Sequence, residues 1–186
     1  SSAEFKKKVT GYLKSKQFNK AIEECDIERM RGRSNVFVYY STGVAYFSLE
    51  NYEKAKENLQ LVIEQEPDHM NALRYLAEIA SRTDDKASLK RYLSIIIAKE
   101  ERESSPDVIR DYKKLLKVYS AEENRTEVLS LLHKILSLPS LSEENRTGAL
   151  LKYSEYLDTL PVASPADVSL GLELLSLAKS KNQIGR

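Results

Sequence analysis

Two ten-residue stretches of this 186-residue chain repeat one another at a fixed 34-residue spacing. Tyr12-Leu-Lys-Ser-Lys-Gln-Phe-Asn-Lys-Ala21 aligns with Tyr46-Phe-Ser-Leu-Glu-Asn-Tyr-Glu-Lys-Ala55, and at the same offset Phe5 maps to Tyr39, Val9 to Gly43 and Cys25 to Leu59. A period of that length marks a helix–turn–helix unit that cannot bury its own apolar face and covers it by stacking on copies of itself. Six glycines and five prolines are few for this length and punctuate apolar-periodic segments, which favours long helices with short connections. No strand-period segment or glycine-rich hairpin turn competes.

The unit from about Val36 to His69 resembles the tetratricopeptide repeat. Gly43 lies midway along its first helix, Tyr46 follows, Ala55 opens the second helix and Pro67 ends it. Each has a physical reason. Gly43 and Ala55 are small and let paired helices approach, Tyr46 fills the space between them with one ring, and Pro67, lacking an N–H, cannot continue a helix. The resemblance implies an all-α fold, a right-handed superhelical array of about five TPR-like helical hairpins (an α-solenoid). The expected units span 2–35, 36–69, 70–108, 109–142 and 143–181 of a single array over 1–186.

The later copies diverge. The third keeps Leu73, Leu76, Ala77, Leu89 and Leu93 but has Ala80 where Tyr is expected, and a charged stretch, Glu100-Glu-Arg-Glu-Ser-Ser105, follows its second helix. Ser105-Pro106-Asp107 reads as a helix start, and the register resumes five residues late with Tyr112, Leu116 and Tyr119. Tyr153 follows Tyr119 at the same spacing again, and Ser140-Leu-Ser-Glu143 resembles a capping box for the fifth unit. An enlarged loop, Leu160-Pro-Val-Ala-Ser164, precedes a last helix, Ala166 to Lys181. That helix carries one apolar stripe of Val168, Leu172 and Leu175 and another of Leu170, Leu174 and Leu177, which predicts self-association or further repeats.

Little in the chain suggests catalysis, and no enzyme, cofactor or metal is expected. His69 and His133 stand far apart in the repeat order and read as surface residues. Cys25, the single cysteine, takes a core position and rules out an internal disulfide or a Cys-based zinc site. No phosphate-cradling glycine loop or nucleophile elbow occurs. With 29 Lys and Arg against 28 Asp and Glu, the net charge of +1 exerts no bulk pull toward nucleic acid or anionic lipid. No apolar run is long enough for a membrane span. Without a signal-peptide core, a cytoplasmic or nuclear location is expected; starting at Ser1 without a Met predicts a piece of a longer protein.

In this family the first helix of every unit lines a concave groove. The resemblance therefore points to Lys6, Lys7 and Lys14, then Phe37, Tyr40, Val44 and Phe47, then Arg74, Tyr75, Glu78 and Arg82, then Arg110, Lys113, Lys114 and Lys117. Across these units the basic side chains face a single acid, Glu78, while Glu23, Glu24, Asp26, Glu28, Glu53, Glu57 and Glu64 lie on second helices. The expected function is a non-catalytic scaffold or adaptor binding a protein segment, acidic with aromatic or aliphatic anchors, in a basic, aromatic-floored groove. The alternatives are a helical-repeat RNA-binding module and a self-association module of a larger complex. The residues with which chaperone-binding relatives clamp a C-terminal carboxylate fall on Lys6, Thr10, Ser41, Asn71 and Tyr75; only Lys6 matches, so a chaperone tail is not the expected partner.

Overall fold

The computed structural model describes residues 1–156 and 165–184, all of their regular structure helical. The helices are α1 (Ser2–Lys14), α2 (Phe18–Met30), α3 (Val36–Ser48), α4 (Tyr52–Gln65), α5 (Met70–Arg82), α6 (Lys86–Arg102), α7 (Val108–Ala121), α8 (Arg125–Leu136), α9 (Glu143–Ser154) and α10 (Pro165–Ile184). They form two compact units, residues 1–111 and 112–186. The expected Leu160–Ser164 loop lies outside the described residues. Among the described residues, no helix is long and apolar enough to cross a membrane.

The repeat is written into the backbone at the turn inside each hairpin. Lys16, Glu50 and Asp84 adopt left-handed conformations with φ of 59°, 59° and 54°, in step with the sequence period. Glu123 repeats this with φ 55°, five residues late. In each turn the next residue's N–H reaches back five residues to a carbonyl near the end of the first helix: Gln17 to Tyr12, Asn51 to Tyr46, Asp85 to Ala80 and Asn124 to Tyr119, at 2.8–3.0 Å. This bond satisfies carbonyls that the helix end would otherwise orphan. Asn51, Asp85 and Asn124 then cap the following helix by accepting from the backbone N–H three residues on. None of the four left-handed residues is glycine, so each carries a steric cost that glycine would not. Glu50→Gly is accordingly expected to raise stability by up to ~1 kcal/mol, the strain relieved less the entropy glycine adds to the unfolded chain; a lower denaturation midpoint would refute this.

In the first unit, each helix packs on the next from α1 to α6, and α1 also touches α3 while α3 touches α5. Among the described residues the second helices make no comparable contact with one another, so the first helices are the closer-packed, inner side of this unit. Two apolar clusters fill it, one around Val9, Ala21, Cys25, Val38 and Ala45, the other around Leu59, Leu73, Leu76, Tyr92 and Ile96. Tyr46 packs against both, and Gly43 is where α3 meets α4: a Cβ there would stand 2.7 Å from Leu59 Cγ. In the second unit α8 packs on α9 and α9 on α10, with Tyr153 fully buried.

Several local expectations are corrected. The charged stretch after the third unit is largely helical, because α6 runs 17 residues to Arg102, a turn longer than its counterparts; Lys, Glu and Arg are good helix formers, and one of them, Glu100, is buried. The helix expected at Pro106 begins at Val108, with Ser105 Oγ accepting from Asp107 N in the preceding turn. The cap of α9 is Ser142, accepting from Asn145 N, rather than Ser140. On α10, Leu170 is buried, while Val168, Leu172 and Leu175 are 52%, 63% and 62% exposed.

Candidate functional site

α3 is the most apolar of these helices, VFVYYSTGVAYFS, without one charged residue. One side of it buries Val38, Ser41, Thr42, Gly43 and Ala45 against the hairpin; Thr42 Oγ1 donates to Val38 O at 2.7 Å, which satisfies the hydroxyl. The other side carries Phe37, Tyr40, Val44 and Phe47, whose spacing of three, four and three places them in one stripe along the helix. All four are half-buried, wet on one side.

The neighbouring first helices complete this face. Phe5 of α1 meets Phe37 edge-on with ring centroids 5.8 Å apart, and Lys6 Nζ lies 5.5 Å from the centre of the Phe37 ring. Tyr75 of α5 stands edge-on to Tyr40 at 6.2 Å and to Phe47 at 5.0 Å, while Phe47 continues to Tyr52 at 5.7 Å. Tyr40, Tyr75, Phe47 and Tyr52 thus form a connected row, each contact of the kind that contributes roughly 0.5–1.5 kcal/mol beyond area burial. Burial and the neighbouring Tyr75 push the Tyr40 hydroxyl up to about 12, so it stays neutral across the physiological range.

Two members of the row escaped the sequence reading. His69, expected at the surface, is half-buried: its Nδ1 accepts from Ala72 N at 3.1 Å as the cap of α5, and its ring lies 5.0 Å from Tyr40. A histidine immediately before an apolar-periodic segment is the signal that could have shown it. Tyr52 repeats Phe18 in the 34-residue alignment and could have been read from it. Arg82 closes the row, its guanidinium 5.1 Å and 5.8 Å from the centres of Phe47 and Tyr52 and donating to Tyr52 Oη and Glu78 Oε1, both at 2.8 Å. The bonds to Glu78 and then Tyr52 strengthen its hold on its proton.

The basic residues fall into three groups. Lys6, Lys7 and Lys14 are exposed on α1. Arg74 turns inward between Glu100 and Asp111, at 2.6 and 3.2 Å, and Arg110 comes within 3.9 Å of Asp111. Lys113, Lys114 and Lys117 are exposed on the part of α7 that belongs to the second unit. In the first unit, then, Lys6, Phe37, Tyr40, Val44, Phe47 and Tyr75 share a face, Lys7 stands exposed on α1 beside Lys6, and Arg74 is bound into an ion cluster instead of facing water. Of the acids assigned to second helices, Glu28 is buried and takes Arg31 at 3.0 Å and Arg33 at 3.7 Å. Cys25 is fully buried as expected, and burial raises its thiol above the usual range.

Helical hairpins of 34-residue period, stacked with their first helices along an inner row, define the tetratricopeptide-type repeat fold. Human RNA polymerase II-associated protein 3 is 29% identical to this chain over 97 residues, which is 52% of this chain and 15% of that protein. Among solved structures, MamA (41-end) from Desulfovibrio magneticus RS-1 superposes with a TM-score of 0.61 at 14% identity, over 96% of this chain and 95% of that one. A Podosopora anserina kinesin light chain with TPR-like repeats gives a TM-score of 0.53 at 14% identity, over 97% of this chain and 87% of that one. These identities speak for the fold alone, and no family model matches the chain.

Proposed function

We propose that this chain is a non-catalytic scaffold that holds a segment of another protein along the inner side of its first unit. The observation that carries this reading is the half-buried row of Phe37, Tyr40, Phe47 and Tyr75 beside the exposed Lys6 and Lys7. Rings already packed edge-on lose little freedom when a partner covers them, so they suit anchoring contacts, while surface lysines steer an acidic segment into place. The partner is a peptide or protein with aliphatic or aromatic anchors next to acidic residues. Lys113, Lys114 and Lys117 offer a separate basic surface on the second unit. A cytoplasmic or nuclear location fits this role. The likeness to a protein named for association with RNA polymerase II makes polymerase subunits the first partners to try.

The test uses peptides tiled across polymerase subunits together with a display library, selected on the full chain and remeasured in solution. Phe37→Ala is expected to weaken selected peptides at least about tenfold, the loss that accompanies truncating an anchor. Lys6→Glu with Lys7→Glu is expected to slow association severalfold, an effect that fades as salt shortens the screening length. Helical circular dichroism should be retained in both variants. Peptides that bind both variants as tightly as the parent chain would place the binding surface elsewhere. Tight, steeply salt-dependent binding of an RNA oligomer would favour the nucleic-acid reading instead.

A further inference from the structure

An arginine stands three residues ahead of Ser34, Ser94 and Ser105, as Arg31, Arg91 and Arg102. The fold treats these three hydroxyls differently. Ser94 lies in the middle of α6 and donates to Lys90 O at 2.7 Å. Ser105 is half-buried in the turn after α6, where its Oγ accepts from Asp107 N at 3.3 Å and its own N–H donates to Glu100 O at 2.9 Å. Ser34 is exposed and lies outside regular structure, between Met30 of α2 and Val36 of α3. Its hydroxyl makes no hydrogen bond among the described residues.

The segment around Ser34 has the shape and charge of an enzyme substrate. Gly32, left-handed with φ 70°, turns the chain out of α2, and Asn35 is extended at φ −155° and ψ 177° before its side chain caps α3. A helix holds its side chains against its own neighbouring turns, whereas an exposed loop can enter a cleft and place a hydroxyl in line with a phosphoryl group. Arg31 and Arg33, on the approach to Ser34, have side chains 59% and 67% exposed. Both reach the buried Glu28, at 3.0 and 3.7 Å. Each guanidinium carries five N–H donors, so it can take a second carboxylate without leaving Glu28. Kinases select substrates by charge patterns of this kind.

We propose that Ser34 is phosphorylated by an arginine-directed serine kinase and that the phosphate weakens the hold of the first unit on an acidic segment. In the transfer, Ser34 Oγ bonds to the γ-phosphorus of a nucleoside triphosphate as the bond from that phosphorus to the bridging oxygen breaks. The hydroxyl proton passes to a carboxylate of the kinase, and nucleoside diphosphate leaves. The phosphate brings a charge of about −1.5 to −2 at neutral pH. It stands beside Arg33 and just ahead of α3, whose first N–H groups favour an anion, so the fold accommodates it. Ser34 is three residues from Phe37, a span of at most about 11 Å, and Lys6 Nζ lies over the Phe37 ring. Resting on the binding role proposed above, the new charge offsets Lys6 at that end of the face and repels an acidic partner.

The test incubates the folded full chain with the catalytic subunit of cyclic-AMP-dependent protein kinase and magnesium ATP, and locates phosphate by peptide mass spectrometry. Ser34 is expected to be modified before Ser94 or Ser105, and Ser34→Ala, which removes a group that bonds to nothing, to lose most of the incorporation. Arg31→Ala, which leaves Arg33 on Glu28, should slow the reaction at least about tenfold, the loss of one charged contact. Ser94 or Ser105 modified as fast as Ser34 overturns the proposal. So does a folded chain left untouched under conditions that phosphorylate a peptide of residues 27–41, or a peptide that is itself untouched. Selected acidic peptides are then compared on the phosphorylated and parent chains. Severalfold weaker binding after phosphorylation, by a factor that shrinks with added salt, is expected; equal binding overturns the second half alone. Mass reads the modification without any partner. A parent chain that binds no peptide therefore refutes the binding role, and the second half with it, while the modification is already decided.

Discussion

Arg74→Ala is expected to cost about 3–5 kcal/mol, because it takes the ion-paired cation from the buried Glu100 and one of the partners of the buried Asp111. Arg74 makes the ion pair with Glu100 and a closer contact to Asp111 than Arg110 does, and these acids are buried to the point where water cannot take over. The urea midpoint should fall with little change in slope. A second variant separates the loss of a partner from the worth of the cluster. Replacing Arg74, Glu100 and Asp111 together by Met, Leu and Leu removes the charges along with the cost of burying them. That triple variant should recover most of the loss. If Arg74→Ala costs under about 1 kcal/mol, the two acids must be reaching water or protons by another route, and the cluster is not an ion-paired core.

Gly43 provides the other large effect. A Cβ at this position would meet Leu59 Cγ at 2.7 Å, Leu59 Cδ2 at 2.9 Å and Ala55 O at 3.4 Å. Leu59 is fully buried, so it cannot swing into solvent to make room. Alanine would gain about 1 kcal/mol of helix propensity over glycine, yet overpacking a filled core costs about 1–3 kcal/mol. Gly43→Val adds the poorer helix propensity of a β-branched residue to the same collision and should be worse still, by about 2 kcal/mol or more in total. A double-mutant cycle isolates the contact. In a Leu59→Ala background, where the colliding atoms are gone, Gly43→Ala should turn neutral or favourable. An unchanged cost in that background would show that the strain lies in the backbone and not against Leu59.

The fold was open to sequence reading because its period is carried by large, unmistakable residues. Tyr12 recurs as Tyr46, and the small Ala21, which close helix packing demands, recurs as Ala55 at the same offset. The five-residue delay in the fourth unit was visible for the same reason, and α6 absorbs much of it as an additional helical turn. The hairpin turns were harder to see. Their left-handed positions hold Lys16, Glu50 and Glu123, residue types that announce nothing about positive φ, and only Asp84 belongs to a type enriched there. At the candidate face, the stripe of Phe37, Tyr40, Val44 and Phe47 follows from helical spacing alone. The fate of Arg74 does not, because it depends on Glu100 and Asp111, which lie 26 and 37 residues away. Spacing along one helix shows which residues share a side; it does not show which distant carboxylate will claim one of them.

Cys25 gives this molecule a built-in clock. Its sulfur is sealed between α2 and the neighbouring α3, and burial keeps it in the unreactive thiol form. Alkylation in native buffer must therefore wait until the N-terminal hairpin parts from the next one. As the chain's one thiol, it lets the rate of a single covalent reaction, followed by mass, time that parting without any added label.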